Sequence, residues 1–102
     1  MARIEICLLE DVPANGNRAF VAEGVSILLC RSGAGVFALE NMCSHATAAL
    51  EGGRMKGPFL FCPLHGMRID VRDGCPSGQL TTRRVRTYPA TLEDGRVFVE
   101  IG

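Results

Sequence analysis

The 102-residue chain is short of aromatic residues, of histidine and of surplus charge. It has no tryptophan, one tyrosine and five phenylalanines, and only two histidines. So few aromatic rings leave little to stack on nucleic-acid bases. The 11 basic residues match the 11 acidic ones, so the net charge is +0 at pH 7. The composition therefore argues against a nucleic-acid binder and against a polybasic membrane anchor.

The sequence predicts neither a membrane span nor a secretory leader. Its apolar runs fall far short of the roughly 20 residues that cross a bilayer, and the start, Met1-Ala2-Arg3-Ile4-Glu5, lacks the apolar core of a signal peptide. The five cysteines are an odd number. Thiols without a secretory context indicate a reducing compartment and metal or redox use. We therefore expect a soluble cytoplasmic protein.

What the sequence does contain is a set of short apolar segments, several of which alternate with a period of two, and these predict β-strands. The segments are 3–8, 18–22, 25–31, 36–40, 59–61, 68–72, 85–92 and 96–101. Segment 25–31 is almost continuously apolar, so we expect a central strand covered on both faces. Segments 85–92 and 96–101 should form a hairpin. Segments 41–57 and 75–83 show no period and are interpreted as loops.

Cysteine and histidine occur together in two short motifs. The first is Cys43-Ser44-His45, and the second, Cys62-Pro63-Leu64-His65-Gly66, follows after sixteen residues. Each motif supplies one thiol and one imidazole, and the chain has no other histidine. Structural zinc sites usually pair Cys with Cys and His with His at close spacing, so these mixed pairs fit zinc poorly. Two histidines that replace two cysteines on one iron are typical of a Rieske centre.

In these two motifs and in the gap between them, the sequence resembles the Rieske iron–sulfur family. It is most similar to the small Rieske ferredoxins that feed bacterial aromatic-ring-hydroxylating oxygenases. The resemblance implies one all-β Rieske domain over residues 1–102. Its base, an antiparallel β-sandwich or open barrel, would comprise residues 1–40 and 76–102. A small cluster-binding lobe of two loops would occupy residues 41–75.

The resemblance also implies the cofactor and its ligands. One [2Fe–2S] cluster per chain would be held by Cys43 and Cys62 on the inner iron and by His45 and His65 on the outer iron. The charges of two ferric ions, two sulfides and two thiolates cancel, and one-electron reduction leaves a single negative charge. Clusters with four cysteines carry more negative charge, which makes reduction harder in a low-dielectric pocket. Rieske potentials therefore span roughly −150 to +300 mV, against about −400 mV for plant-type ferredoxins.

Four residues close to the ligands in sequence indicate where the redox potential of this chain lies within the Rieske range. Respiratory and photosynthetic Rieske proteins carry disulfide-linked cysteines where this chain has Ala48 and Leu64. They also place Ser and Tyr hydroxyls on the cluster sulfurs, where this chain has Met67 and Ile69. Fewer hydroxyl donors stabilise the added electron less. We therefore expect a potential near the bottom of the range.

The expected function is that of an electron carrier, not of an enzyme. A flavin-dependent ferredoxin reductase would load one electron, and an exposed edge of His45 and His65 would pass it to the Rieske centre of a terminal ring-hydroxylating oxygenase. The sequence shows no Ser-His-Asp, paired-carboxylate or phosphate-loop arrangement. Two alternatives stay open, namely the small Rieske subunit of an assimilatory nitrite reductase and a zinc-stabilised interaction module without redox function.

The charges are unevenly distributed along the neutral chain. Residues 54–86 contain seven basic and two acidic side chains, a net charge of +5, so the rest of the chain carries −5. One interpretation is a solvated face with local ion pairs. The other is a basic docking surface that steers acidic patches of a redox partner.

The remaining cysteines are expected to be free thiols without a role in the cluster. Cys7 falls on the polar side of its alternating strand, opposite Ile4, Ile6 and Leu8, and Cys30 lies in an apolar strand. Both are interpreted as structural thiols. Cys75 is interpreted as an ordinary loop thiol, with redox relevance as the alternative because it lies close to the cluster lobe in sequence.

Overall fold

The structure, a computed structural model, describes residues 2–33, 35–42, 49–63, 66–77 and 84–101. Within these ranges the chain forms eleven short strands in three antiparallel sheets. A single turn of 3₁₀ helix over Leu9–Asp11 is the one helical element there. The predicted all-β class is confirmed. The described residues contain no helix of the length and apolar character that crossing a membrane requires.

The three sheets are called the outer, the middle and the small sheet. The outer sheet contains, in spatial order, β1 (Ala2–Leu8), β11 (Arg96–Ile101) and β10 (Ala90–Glu93). The middle sheet contains β2 (Asn17–Ala22), β3 (Val25–Ser32), β4 (Gly35–Glu40) and β9 (Thr87–Tyr88). The small sheet contains β5 (Arg54–Lys56), β6 (Phe59–Phe61), β7 (Arg68–Asp70) and β8 (Pro76–Ser77).

Strand β3 separates two hydrophobic cores. Its residues Ile27–Cys30 are completely buried. Leu28 and Cys30 lie in the core shared with the small sheet, whereas Ile27 and Leu29 lie in the core shared with the outer sheet. Other members of the first core are Leu39, Leu50, Leu60, Cys62, Met67, Ile69, Val71 and Val85. The expectation that segment 25–31 is central and covered on both faces is therefore confirmed.

Strand β1 departs from the simple alternation that its sequence shows. Its pairing with β11 shifts register between Glu5 and Cys7, so Ile6 is the extra residue of a β-bulge. A bulge changes which side the following residues face. Cys7 accordingly packs against the core, and Leu8 is 39% exposed. The prediction that Cys7 lies on the polar side, with Leu8 inside, was wrong for this reason.

Burial keeps two of the thiols protonated. Desolvation raises the pKa of Cys30 to about 12. Desolvation, with a smaller contribution from the carboxylate of Asp11, raises the pKa of Cys7 to about 11. Because the thiolate is the reactive form, both are inert at neutral pH. The burial of Cys30 and the packing of Cys7 against the core support their interpretation as structural thiols.

The segment predicted as one strand over 85–92 is divided between two sheets. Strand β9 pairs with β4 of the middle sheet, and β10 pairs with β11 of the outer sheet. Pro89 lies between them and has no N–H to continue a ladder, so the chain can change sheets at this point. The predicted hairpin with β11 is confirmed for Ala90–Glu93 only.

The small sheet also differs from the sequence-based assignment. Residues 54–56, predicted as loop, form β5, and residues 76–77 form β8. The predicted strand 68–72 ends at Asp70, whose carboxylate accepts a hydrogen bond from the backbone N–H of Arg72 (3.0 Å) in a turn. Strands of two or three residues contain too little alternation to recognise without their partners.

Candidate metal centre

One of the four expected ligands, Cys62, lies within the described residues. Cys43, His45 and His65 lie outside them, so their placement stays a prediction. Cys62 directly follows β6, is 2% exposed, and belongs to the core that also holds Leu50. A buried thiol at the end of a strand, beside a loop, fits a sulfur ligand that faces inward.

The described residues of the second ligand motif lie between β6 and β7. The backbone N–H of Cys62 donates to the carbonyl of Met67 (2.9 Å), and the N–H of Gly66 donates to the carbonyl of Cys62 (2.8 Å). Gly66 has φ +67°, a left-handed conformation that other residues adopt only with strain. A Cβ at this position would meet no atom within 4 Å, so only the backbone conformation demands glycine.

The loop that carries the first motif is closed at its base by Asn41. Its amide oxygen accepts hydrogen bonds from the N–H groups of Leu50 and Glu51, both at 3.0 Å. Its amide nitrogen donates to the hydroxyl of Ser26 on β3 (3.2 Å). One side chain therefore holds the residues on both sides of segment 42–49 together.

A second group of polar contacts attaches this loop to β2. The amide of Asn17 accepts from the N–H of Gly52 (2.9 Å) and donates to the carbonyl of Gly53 (2.8 Å). The carboxylate of Glu51 accepts from the N–H of Ala19 (2.7 Å). These residues were missed by sequence reasoning, because a lone Asn or Glu gives no signal of a contact made 35 residues away.

The bases of the two ligand loops lie against each other. A Cβ on Gly53 would collide with the carbonyl oxygen of Phe61 and lie 2.8 Å from the side chain of Leu60. Only glycine allows the end of the first loop to lie this close to β6, the strand that leads to Cys62. Leu50 and Cys62 also share one core. The fold thus brings together the described ends of the two motifs.

The surroundings of Cys62 suit a metal group without net charge. Met67 and Ile69 are buried in the same core and offer no hydroxyl group. Burying an uncompensated charge among such side chains would be unfavourable. The donor set of two thiols and two imidazoles, with an apolar wall behind Cys62, therefore fits the oxidised [2Fe–2S] cluster expected from the sequence.

Comparison with known proteins gives a consistent result. A family model described as the Rieske [2Fe-2S] domain matches residues 2–89. The anthranilate 1,2-dioxygenase ferredoxin subunit of Burkholderia cepacia is 40% identical over 93 residues, which are 91% of this chain and 82% of that protein.

Solved structures of ferredoxins are also similar. The ferredoxin of carbazole 1,9a-dioxygenase from Nocardioides aromaticivorans IC177 has a TM-score of 0.89 and 30% identity, with 97% of both chains covered. A chain in the complex of reduced oxygenase and oxidised ferredoxin of carbazole 1,9a-dioxygenase has a TM-score of 0.86 and 26% identity. That match covers 95% of this chain and 91% of the other.

The first prediction concerns Gly66. We expect Gly66→Ala to lower both the thermal midpoint and the iron bound per chain, because the strain of about 1 kcal/mol falls on the ligand turn itself. Gly57→Ala is the matched control. Gly57 has φ +58° and equally open surroundings, but it lies in the β5–β6 turn. Iron analysis and thermal unfolding of both variants measure these effects. Equal iron content in Gly66→Ala and Gly57→Ala would contradict the prediction.

The second prediction concerns Asn41. Asn41→Ala leaves the N–H groups of Leu50 and Glu51 without their acceptor, and we expect a loss of roughly 1–3 kcal/mol in unfolding free energy. We also expect a lower iron content, because the first ligand loop is no longer closed. Asn41→Asp keeps an acceptor oxygen and should retain most of both properties. Equal behaviour of the two variants, in denaturant titrations and iron analysis, would exclude this role of the amide oxygen.

Proposed function

The chain belongs to the Rieske [2Fe–2S] family, and on that premise we propose that it shuttles electrons from a flavin-dependent reductase to a terminal ring-hydroxylating oxygenase. The observation that carries this proposal is the family match over residues 2–89, together with relatives that are ferredoxin components of dioxygenase systems. A Rieske-type [2Fe–2S] cluster supplies a one-electron redox couple when bound. The protein is thus an electron-transfer component and not itself a catalyst.

For the ligands we propose Cys43 and Cys62 as thiolates and His45 and His65 as imidazoles. Support comes from the chemistry of the donor set and from the burial of Cys62 in an apolar core. It comes also from Gly53, whose backbone lies against the strand that leads to Cys62.

We propose the same division of the chain that the sequence suggested. Residues 41–75 would form the cluster lobe, and residues 1–40 and 76–102 the base. The support is that three strands of the small sheet, β5 to β7, fall in the proposed lobe, whereas both other sheets are built from the proposed base.

The two partners have different support. A relative of this chain is a ferredoxin found in complex with its oxygenase, which supports an oxygenase as the electron acceptor. The reductase follows from electron counting, because a nicotinamide delivers two electrons as hydride and this carrier takes one. A flavin can accept the pair and release electrons singly.

A cytoplasmic location belongs to the same proposal, supported by the free thiols of Cys7, Cys30 and Cys75.

Family membership also decides between the initial alternatives. It favours an iron–sulfur cluster over the zinc-stabilised interaction module. The relatives named above are dioxygenase ferredoxins, which favours the dioxygenase role over a nitrite reductase subunit.

The third prediction tests the cluster and its ligands. Anaerobically purified protein should contain equal amounts of iron and acid-labile sulfide and show visible absorption. Cys62→Ser and His65→Ala should each lose the iron of the native cluster, because each removes a ligand, whereas Cys75→Ser should keep it. A colourless wild-type protein that contains zinc and no sulfide would contradict the proposal.

The fourth prediction concerns the redox potential. We propose that the wild-type potential lies towards the lower end, roughly −150 mV, of the Rieske range, because Met67 and Ile69 supply no hydroxyl donor. Met67→Ser should raise the potential by tens of millivolts relative to Met67→Ala, since the two variants open similar space and only serine can donate a hydrogen bond. Protein-film voltammetry measures both. A wild-type potential well above zero, or identical potentials of the two variants, would show the reasoning to be wrong.

A further inference from the structure

The outward face of the small sheet has an unusual composition. Met55, Leu60 and Ile69 point into or pack against the core, so the residues between them on β5, β6 and β7 face outward. These outward residues are Arg54, Lys56, Phe59, Phe61, Arg68 and Asp70. We refer to this set as the basic face. It combines three cations and two aromatic rings with a single carboxylate.

That carboxylate is already neutralised. Asp70 receives two hydrogen bonds from the guanidinium of Arg72, at 2.7 and 2.9 Å, and these bonds hold its pKa below the usual value. Among the described residues, no carboxylate lies within 4.0 Å of Arg54, Lys56 or Arg68. The undescribed residues contain no Asp or Glu that could supply one. Local ion pairing, one of the two interpretations of the basic segment, therefore applies to Arg72 and not to these three cations.

The two arginines of the basic face rest on the two phenylalanine rings. The guanidinium carbon of Arg54 lies 5.2 Å from the ring centre of Phe61, and that of Arg68 lies 4.5 Å from the ring centre of Phe59. Cation–π contacts restrict an arginine side chain while its N–H groups stay available at the edge of the guanidinium. The donors are thus held in place before a carboxylate partner arrives, which lowers the entropy lost on binding.

The basic face adjoins the second ligand motif. Phe61 directly precedes Cys62, and its cross-strand partners are Arg54 on one side and Arg68 on the other. The two arginines therefore occupy the row of the sheet nearest to the ligand turn. A protein surface bound there would lie beside the second ligand motif.

We propose that the basic face docks a carboxylate-rich surface of the flavin reductase that loads this carrier. The proposal rests on the carrier function proposed above. One electron passes from the reduced flavin to the carrier, without transfer of a proton or an atom, so the carrier gains one negative charge. An acidic partner beside that charge binds the oxidised form more tightly than the reduced form.

This redox dependence selects the reductase and not the oxygenase. An electron donor has to bind the oxidised carrier and release the reduced one, which is the order that an acidic surface at this position produces. An electron acceptor requires the reverse order, because it has to bind the reduced carrier. The charge of the basic face therefore suits binding of the reductase that reduces the carrier. It does not suit binding of the oxygenase that oxidises it.

The fifth prediction tests this docking with the cluster-loaded protein. The probe is a flavin reductase from a ring-hydroxylating dioxygenase system that reduces the wild-type protein with NADH. Exposed ion pairs are individually weak, so we expect the double variant Arg54→Gln/Arg68→Gln to bind the oxidised carrier roughly tenfold less tightly. The dependence of the dissociation constant on ionic strength should decrease as well. Titrations at several salt concentrations and single-turnover reduction rates measure both.

The matched control is Arg18→Gln. Arg18 is an exposed arginine on β2 whose guanidinium also lies over a ring, that of Phe20 at 5.5 Å, but outside the basic face. It should change reductase binding by no more than about twofold, as expected for a surface charge away from the interface. The visible spectrum should keep its wild-type form in all variants. The midpoint potential of the double variant should fall slightly, because two positive charges near the proposed cluster are removed, so binding is compared with the oxidised protein. The single variants Arg54→Gln and Lys56→Gln provide smaller shifts in the same direction if the double variant is unstable.

Three outcomes would overturn the docking proposal. The double variant could bind the reductase as tightly as wild type, Arg18→Gln could weaken binding equally, or the variants could slow electron delivery to the oxygenase alone. Failure of the carrier function looks different, because the wild-type protein would then lack the cluster or would not be reduced by any flavin reductase.

Discussion

Strand β3 has to bury both of its faces, and the rest of the structure follows from that requirement. Ile27–Cys30 form an apolar run without exposure. The outer sheet covers one face. Among the described residues, the small sheet together with Leu50 and Val85 covers Leu28 and Cys30 on the other face, in the same core as Cys62. The proposed metal centre is thus built onto the core of the protein, so that folding of the lobe and positioning of the ligand depend on the same contacts.

The irregular parts of the lobe depend on a different interaction. Loops lack a ladder of backbone hydrogen bonds, and their N–H and C=O groups need other partners. Side chains supply several of them. Asn41 bonds to two N–H groups at the end of the first ligand loop, and Asn17, on β2 of the base, bonds to an N–H and a carbonyl there. Apolar packing therefore sets where the lobe lies, and these polar bonds anchor the described end of the first ligand loop.

A feature of this structure could be predicted from the sequence when it depends on residues that are close together along the chain. The apolar run of β3 and the paired Cys and His motifs are local patterns, so the fold class and the candidate ligands could be predicted. The bulge at Ile6, the change of sheet at Pro89 and the contacts of Asn41 depend on partners remote in sequence. A period of two cannot show an inserted residue, and a three-residue strand such as β5 has almost no period to recognise.

The exposed basic residues suit a protein that has to bind and leave its partners repeatedly. A carrier has to leave each partner, which excludes a large, tightly desolvated interface and favours exposed charges that act on orientation and association rate. Arg54 and Arg68 suit such a contact, because they stand exposed on aromatic rings and not in a buried ion pair. The net charge of +5 over residues 54–86 is balanced by −5 in the rest of the chain. The basic face can therefore present a local positive field to an acidic partner although the net charge of the chain is zero.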